Sequence, residues 1–142
     1  MNSEFHYYAV HALALEAGFD EERAFIIANS SQEVDAATTP LAFDTPTGRV
    51  DIIVSQNYLF WDDSVKRDIY LPFHFMPGEP TAASAARKDG RTNPYAVTPN
   101  SEAAKELLVA ALRDKDPYLI GVALHTFADT WAHQNFCGLL GG

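Results

Sequence analysis

Cysteine is nearly absent: Cys137 has no second cysteine in the chain to pair with, so no intrachain disulfide contributes to the fold. Basic residues are scarce too. Ten Lys and Arg stand against nineteen Asp and Glu, a formal net charge of −9 with neutral histidines, which argues against a polyanion-binding surface and so against a nucleic-acid partner. No apolar run approaches the roughly 18 residues that a membrane span needs. The opening MNSEFHYYAV lacks the basic start and unbroken apolar stretch of a secretory signal, so a cytoplasmic address is expected. The sequence has no glycine-rich phosphate loop, dinucleotide fingerprint or GxSxG elbow. It has no internal repeat or low-complexity tract either. What is present is a 142-residue chain that is 47% apolar and 20% charged, the size of one domain able to bury roughly two thirds of its unfolded surface.

The pattern predicts a mainly α fold, about four helices around a long loop-rich middle, within a single domain over residues 1–142. Residues 4–17 read as an amphipathic helix, with Phe5, Tyr8, Ala12 and Leu15 near helical spacing and Gly18 as its stop. Asp20 is placed to cap a second helix whose packing face is Ala24, Ile27, Ala28 and Ser31, running toward Asp35. Thr38–Pro40 and Thr45–Gly48 are turns. Residues 49–61 and 68–75 are β-branched and aromatic and read as strands or extended segments, although Pro72 interrupts the second. Residues 76–100 carry four prolines and two glycines with no period and read as a long surface loop. Ser101 caps a helix containing Leu107, Leu108, Ala111 and Leu112, and Asp116 with Pro117 opens a last helix reaching about Asn135.

That last helix carries His125, Asp129 and His133 in the run HTFADTWAH. Residues at i, i+4 and i+8 stay within about 80° of one another, so the three side chains can point at one place. Imidazole nitrogen and carboxylate oxygen suit zinc and neighbouring divalent metals, and a carboxylate between two histidines can bridge two ions or orient one. A satisfied core or surface role is the plainer explanation for any single histidine; three such groups on one stripe favour the metal. Upstream candidates are His6 in the first helix, Asp35 at the end of the second, and His74 between Phe73 and Phe75. A buried histidine there needs a partner, either a metal or a backbone carbonyl. His11 points about 140° away from His6 and is expected to be structural or solvent-facing. Gln134 and Asn135 either fix an imidazole or end the helix, and Cys137 is expected to be a buried or incidental thiol. Trp61, Trp131, Tyr7 and Tyr8 read as core or pocket wall, and Asp62 and Asp63 as a solvated turn.

FHYYAVHALALEAGF, IANSSQEVD, YLPFHFMPG and above all IGVALHTFADTWAHQNF are similar to the N-terminal part of DUF6765, a bacterial family of unknown function. The helical His-x-x-x-Asp core resembles, more distantly, the zinc-dependent phospholipase C and P1 nuclease superfamily, whose members are mostly helical and use up to three zinc ions to cleave phosphoesters. The resemblance implies that His125 and Asp129 are paired ligands, that Asp35 and His74 complete the same site, and that His6 helps hold a further ion bridged by Asp129. It makes His133 the histidine that follows the pair, at a shorter spacing than the superfamily's. The superfamily's later His-x-x-x-Glu helix has no counterpart here, and DUF6765 relatives tend to be longer. The chain is therefore expected to be truncated, a minimal version, or completed by a second copy.

The resulting expectation is a metal-dependent hydrolase of a phosphoester or other ester-like bond, binding one to three divalent ions, zinc foremost with manganese, nickel or iron compatible. Asp35 or Asp129 takes the proton, and Phe73, Phe75 and Trp131 line the pocket. The acidity of the chain favours a small or neutral substrate over a long nucleic acid. A non-catalytic metal-binding protein and a self-associating truncated fragment, such as a homodimer, are the alternatives.

Overall fold

A computed structural model describes residues 3–85 and 87–139. A π-helical segment, Glu4–Ala9, runs directly into helix α1, Val10–Glu16. Gly18 ends it with φ +95°, donating to Leu15 O while Phe19 donates to Ala14 O, the paired bonds of a Schellman stop. Asp20 then caps α2, Glu21–Ala36, by accepting from the Arg23 N–H at 2.8 Å. An antiparallel hairpin follows, β1 (Leu41–Thr45) and β2 (Gly48–Ile52), with Leu41 opposite Ile52 and Phe43 opposite Val50. A single helical turn, α3 (Asp63–Val65), capped by Asp62, opens into a second π-helical segment, Lys66–His74. Two longer helices close the fold: α4 (Glu102–Asp114), capped by Ser101, and α5 (Pro117–Ala132), capped by Asp116 with Pro117 in its first turn.

The fold is mainly helical as expected, with corrections at particular elements. Of the residues 68–75 expected to be extended, 68–74 are helical and Phe75 follows as the non-helical cap. Val65, Ile69 and His74, spaced four and five residues apart, are all buried, a spacing that suits the wide turn of a π-helix better than the alternation of a strand. The 49–61 segment is a strand only as far as Ile52. In the first helix the apolar positions Phe5, Tyr8 and Leu15 are exposed, and the inward face is His6, Val10 and Ala14. A polar histidine takes the buried position that a purely hydrophobic reading gives to its neighbours. The 76–100 stretch has one short 3-10 turn, Pro80–Ala82, but is not all surface: Ala96, Val97 and Thr98 are buried, and Val97 bonds through N–H and C=O to Phe136 and Asn135 beyond α5.

The core is built from small and branched side chains, Val10, Ala14, Ala24, Ile27, Ala28, Ala111, Ile120 and Ala123, with Tyr7, Phe19, Leu108 and Leu124 packed on it. Fully burying Ile27 and Ile120 contributes roughly 1.5–3 kcal/mol each. α2 and α5 approach closely because Gly121 has no side chain: a Cβ there would sit 2.3 Å from the Ile27 carbonyl oxygen. That crossing brings the end of α2, with Asp35, against the middle of α5, with His125 and Asp129. No helix among the described residues is long and apolar enough to cross a membrane.

Candidate metal centre

Four segments far apart in sequence supply one buried cluster: His6 from the first π-helical segment, Asp35 from the last turn of α2, His74 from the end of the second π-helical segment, and His125 and Asp129 one turn apart on α5. All five are buried. π-turns are rare and recur at functional sites, and here each of the two π-helical segments contributes one histidine.

Backbone carbonyls set the imidazole tautomers. A carbonyl only accepts, so His125 must donate Nδ1–H to Ser31 O at 2.8 Å, and His74 must donate Nε2–H to Ser55 O at 2.8 Å. Ser55 is itself tied down, its N–H reaching Ala37 O and its hydroxyl Val34 O at the end of α2. In their neutral forms both rings therefore turn a lone pair inward. His74 Nδ1 and His125 Nε2 lie 3.2 Å apart, and Asp129 Oδ2 is 3.2 Å and 3.3 Å from them. Asp35 Oδ1 is 3.8 Å from each. Two lone pairs and two carboxylate oxygens facing one another repel unless a cation, a proton or a metal ion, lies between them.

The separations of 3.2–3.8 Å fit a metal. A tetrahedral site with bonds of about 2.0–2.1 Å has ligand–ligand edges of about 3.3 Å. His74, His125 and Asp129 thus offer three ligand atoms with Asp35 adjacent, and His6, Asp35 and His125 form a second, overlapping group. His6 Nε2 lies 3.3 Å from Asp129 Oδ1, the oxygen not facing His74 and His125, so the carboxylate spans both groups. Asp35 Oδ2 and His6 Nδ1 are buried without a hydrogen-bond partner. Such orphaned acceptors are expensive to bury and fit a centre that takes a cation.

Burial, opposed by Asp129, pushes the His125 imidazole below its ordinary pKa and favours the neutral, lone-pair form. For Asp129 burial works upward, but hydrogen bonds from His125, His6 and His74 outweigh it and hold the carboxyl well below the usual range. The bonds from His125 and His74 require a proton on their inward nitrogens, so the two tendencies compete for the same gap. A proton fills it in acid, and a metal ion can replace the proton at neutral pH.

His133 stands aside from this cluster. It is the C-cap of α5 with non-helical backbone, its Nδ1–H is donated to the His74 carbonyl at 2.6 Å, and its ring stacks on Phe75 at 4.2 Å. Its Nδ1 is 3.7 Å from Asp129 Oδ2. Gln134 and Asn135 end the helix rather than hold an imidazole: Gln134 returns to Trp131 O, and Asn135 accepts from Ser84 and Ala85. His11 lies apart from the cluster, half-buried beside Glu21 and stacked on Tyr7.

The cluster opens into a cavity of about 530 Å³ whose wall includes Gln56, Tyr58, Phe60, Tyr70, Phe75 and Cys137. Of the pocket aromatics expected from sequence, only Phe75 lines it. Phe73 faces a different depression beside α2, and Trp131 packs edge-on against Phe127 with 44% of its surface exposed. Gln56, Tyr58, Phe60 and Tyr70 were not anticipated. The run QNYLFW has strand composition, and only its exposed aromatics, Tyr58 and Phe60 among them, hint at a binding wall.

A family model described as a family of unknown function, DUF6765, matches residues 1–141. No curated protein and no solved structure shows significant similarity to the chain.

Proposed function

The chain belongs to the DUF6765 family, whose function is unknown, and we propose that it is a metal-dependent hydrolase acting on an ester-like bond. The observation that carries this reading is the convergence of two inward imidazole lone pairs and two carboxylates on one point at the floor of an open cavity. A divalent ion bound there would supply Lewis acidity, lowering the pKa of water from about 15.7 toward 7 and drawing charge off the bond under attack. His74, His125 and Asp129 would hold it, with Asp35 Oδ1 beside them. His6 and the remaining oxygens of Asp35 and Asp129 have the chemistry for a further ion. Oxygen and imidazole donors favour zinc, and manganese, nickel or iron would also be accepted.

The side chains of this chain would do the rest. With a single ion bound, the Asp35 carboxylate, which lines the cavity and has one oxygen without a hydrogen-bond partner, would be the group to take a proton from the attacking water. The carbonyls of Ser31 and Ser55 keep the two rings from swinging, and Phe75, with His133 stacked on it, forms part of the cavity wall. The distant likeness of the His-x-x-x-Asp helix to phospholipase C and P1 nuclease supports hydrolysis by analogy of site chemistry alone.

The burial of His6, Asp35, His74, His125 and Asp129 favours a second reading, a metal-binding protein without turnover whose ion ties the helices together. A screen of p-nitrophenyl phosphate, phosphodiester and carboxylic ester substrates, with and without chelator, separates the two. The hydrolase reading predicts turnover that disappears with the metal and returns on its addition. Metal bound at full stoichiometry with no turnover of any substrate contradicts it and leaves the binding role.

A further inference from the structure

We propose that the cavity selects a neutral ester carrying a flat aromatic or apolar group, rather than an anionic phosphoester. This rests on the hydrolase reading of the same site and adds the class of substrate. Among the described residues no Lys or Arg lines the cavity; its wall beyond His6, Asp35, His74 and Asp129 is Gln56, Tyr58, Phe60, Tyr70, Phe75, His133, Cys137 and Gly138. With one divalent ion against the two carboxylates of Asp35 and Asp129, the centre is formally neutral, and it sits in a chain of net charge −9. A phosphate dianion would bring two more negative charges to a centre already neutralised by its own carboxylates, with no Lys or Arg in the lining to receive them.

The wall offers instead what a neutral aromatic group needs. Tyr58 and Phe60 are 59% and 55% exposed, so covering them removes apolar surface from water. Tyr70 packs at a tilt against Phe75 with ring centroids 6.0 Å apart, and Phe75 is backed on its other partner by the His133 ring. Flat faces at the wall favour stacking, worth about 0.5–1.5 kcal/mol per ring pair beyond area burial. The Gln56 side-chain oxygen already accepts from the Asn57 N–H, which leaves its amide N–H groups to donate to a neutral carbonyl. In the reaction, the oxygen of water bonds to the acyl carbon and the acyl C–O bond breaks. The proton taken at Asp35 passes to the departing oxygen, giving a carboxylic acid and an alcohol.

The test uses the metal-loaded protein and two matched ligands, N-(2-naphthyl)acetamide and 2-naphthyl phosphonate, with binding read by calorimetry. The neutral ligand is expected to bind at least about tenfold more tightly than the anion, and Phe60→Ala and Tyr58→Ala to weaken it about fivefold or more with metal content unchanged. Equal or tighter binding of the phosphonate, or neutral binding indifferent to both substitutions, overturns the proposal. A parallel turnover arm compares 2-naphthyl acetate with 2-naphthyl phosphate. A kcat/KM ratio favouring the acetate by about tenfold or more supports the proposal. The reverse ratio overturns it while leaving a metal-dependent hydrolase standing, and cleavage of neither ester with the binding preference intact removes the hydrolase reading while the pocket's preference remains.

Discussion

At Asp129 two demands meet. The carboxylate is buried, which penalises its charge, and it is surrounded by His6, His74 and His125, which hold that charge in place. His125, one turn earlier, is pushed the other way by burial, toward the neutral ring. For the metal-free protein the two shifts have the same sign of effect on stability. Below pH 6.5 the unfolded chain takes up a proton on residue 125 that the folded chain resists, so stability falls as pH drops through that value and is fully kept above it. The Asp129 contribution is complete above its ordinary pKa of 3.8 and is lost only below it. The urea midpoint of the chelator-treated protein is therefore expected to be lower at pH 5.5 than at pH 7.5 and to drop again below pH 4. A flat profile from pH 7.5 to 5.5 would contradict the assignment of a neutral buried His125. Much of this cluster was legible: the four-residue spacing on the last helix marked His125 and Asp129, and a histidine between two phenylalanines marked His74. The same spacing extended to His133, yet the helix ends at Ala132 and the His133 ring Nδ1–H is taken by the His74 carbonyl. The carbonyls that set the tautomers, Ser31 and Ser55, leave no mark in a sequence, because any residue type presents one.

At the scale of elements, the α2–α5 crossing carries the site. Gly121→Ala would press a methyl group against the Ile27 carbonyl and Ser30 Cβ, at 2.3 Å and 2.6 Å, and neither is a flexible side-chain end that can move aside. The helices must separate, at a cost of about 1–3 kcal/mol, and the His125–Ser31 hydrogen bond lengthens with them. Denaturant unfolding should show the loss, and metal titration a weaker affinity; an unchanged affinity would uncouple the crossing from the centre. The hairpin gives the opposite expectation. Leu41, Phe43, Val50 and Ile52 share one face and are all exposed, so replacing the four with Thr should change unfolding free energy by no more than on the order of 1 kcal/mol. Helix caps were readable from sequence because Asp20, Ser101 and Asp116 act on N–H groups two or three residues away. The second π-helical segment was not, because the β-branched and aromatic residues around Pro72 have strand composition, while bonds to distant groups such as Asn57, Ser55 and Thr126 hold the segment in its helical form.

Across the whole molecule the centre is assembled from groups as distant as His6 and Asp129, and the Ser31–His125 bond alone spans 94 residues. The site therefore exists only in the folded chain, and whatever binds it stabilises the fold. A metal at 100 times its dissociation constant adds about 2.7 kcal/mol, so chelation should lower the melting temperature of the wild type and leave His125→Ala unmoved. The most direct measurement of the central claim is elemental analysis of the purified protein beside His125→Ala, Asp129→Ala and His133→Ala. The wild type and His133→Ala are predicted to hold at least one equivalent of a divalent metal, and His125→Ala and Asp129→Ala to lose it. A wild type without stoichiometric metal, or a His125→Ala protein that keeps all of it, would contradict the account.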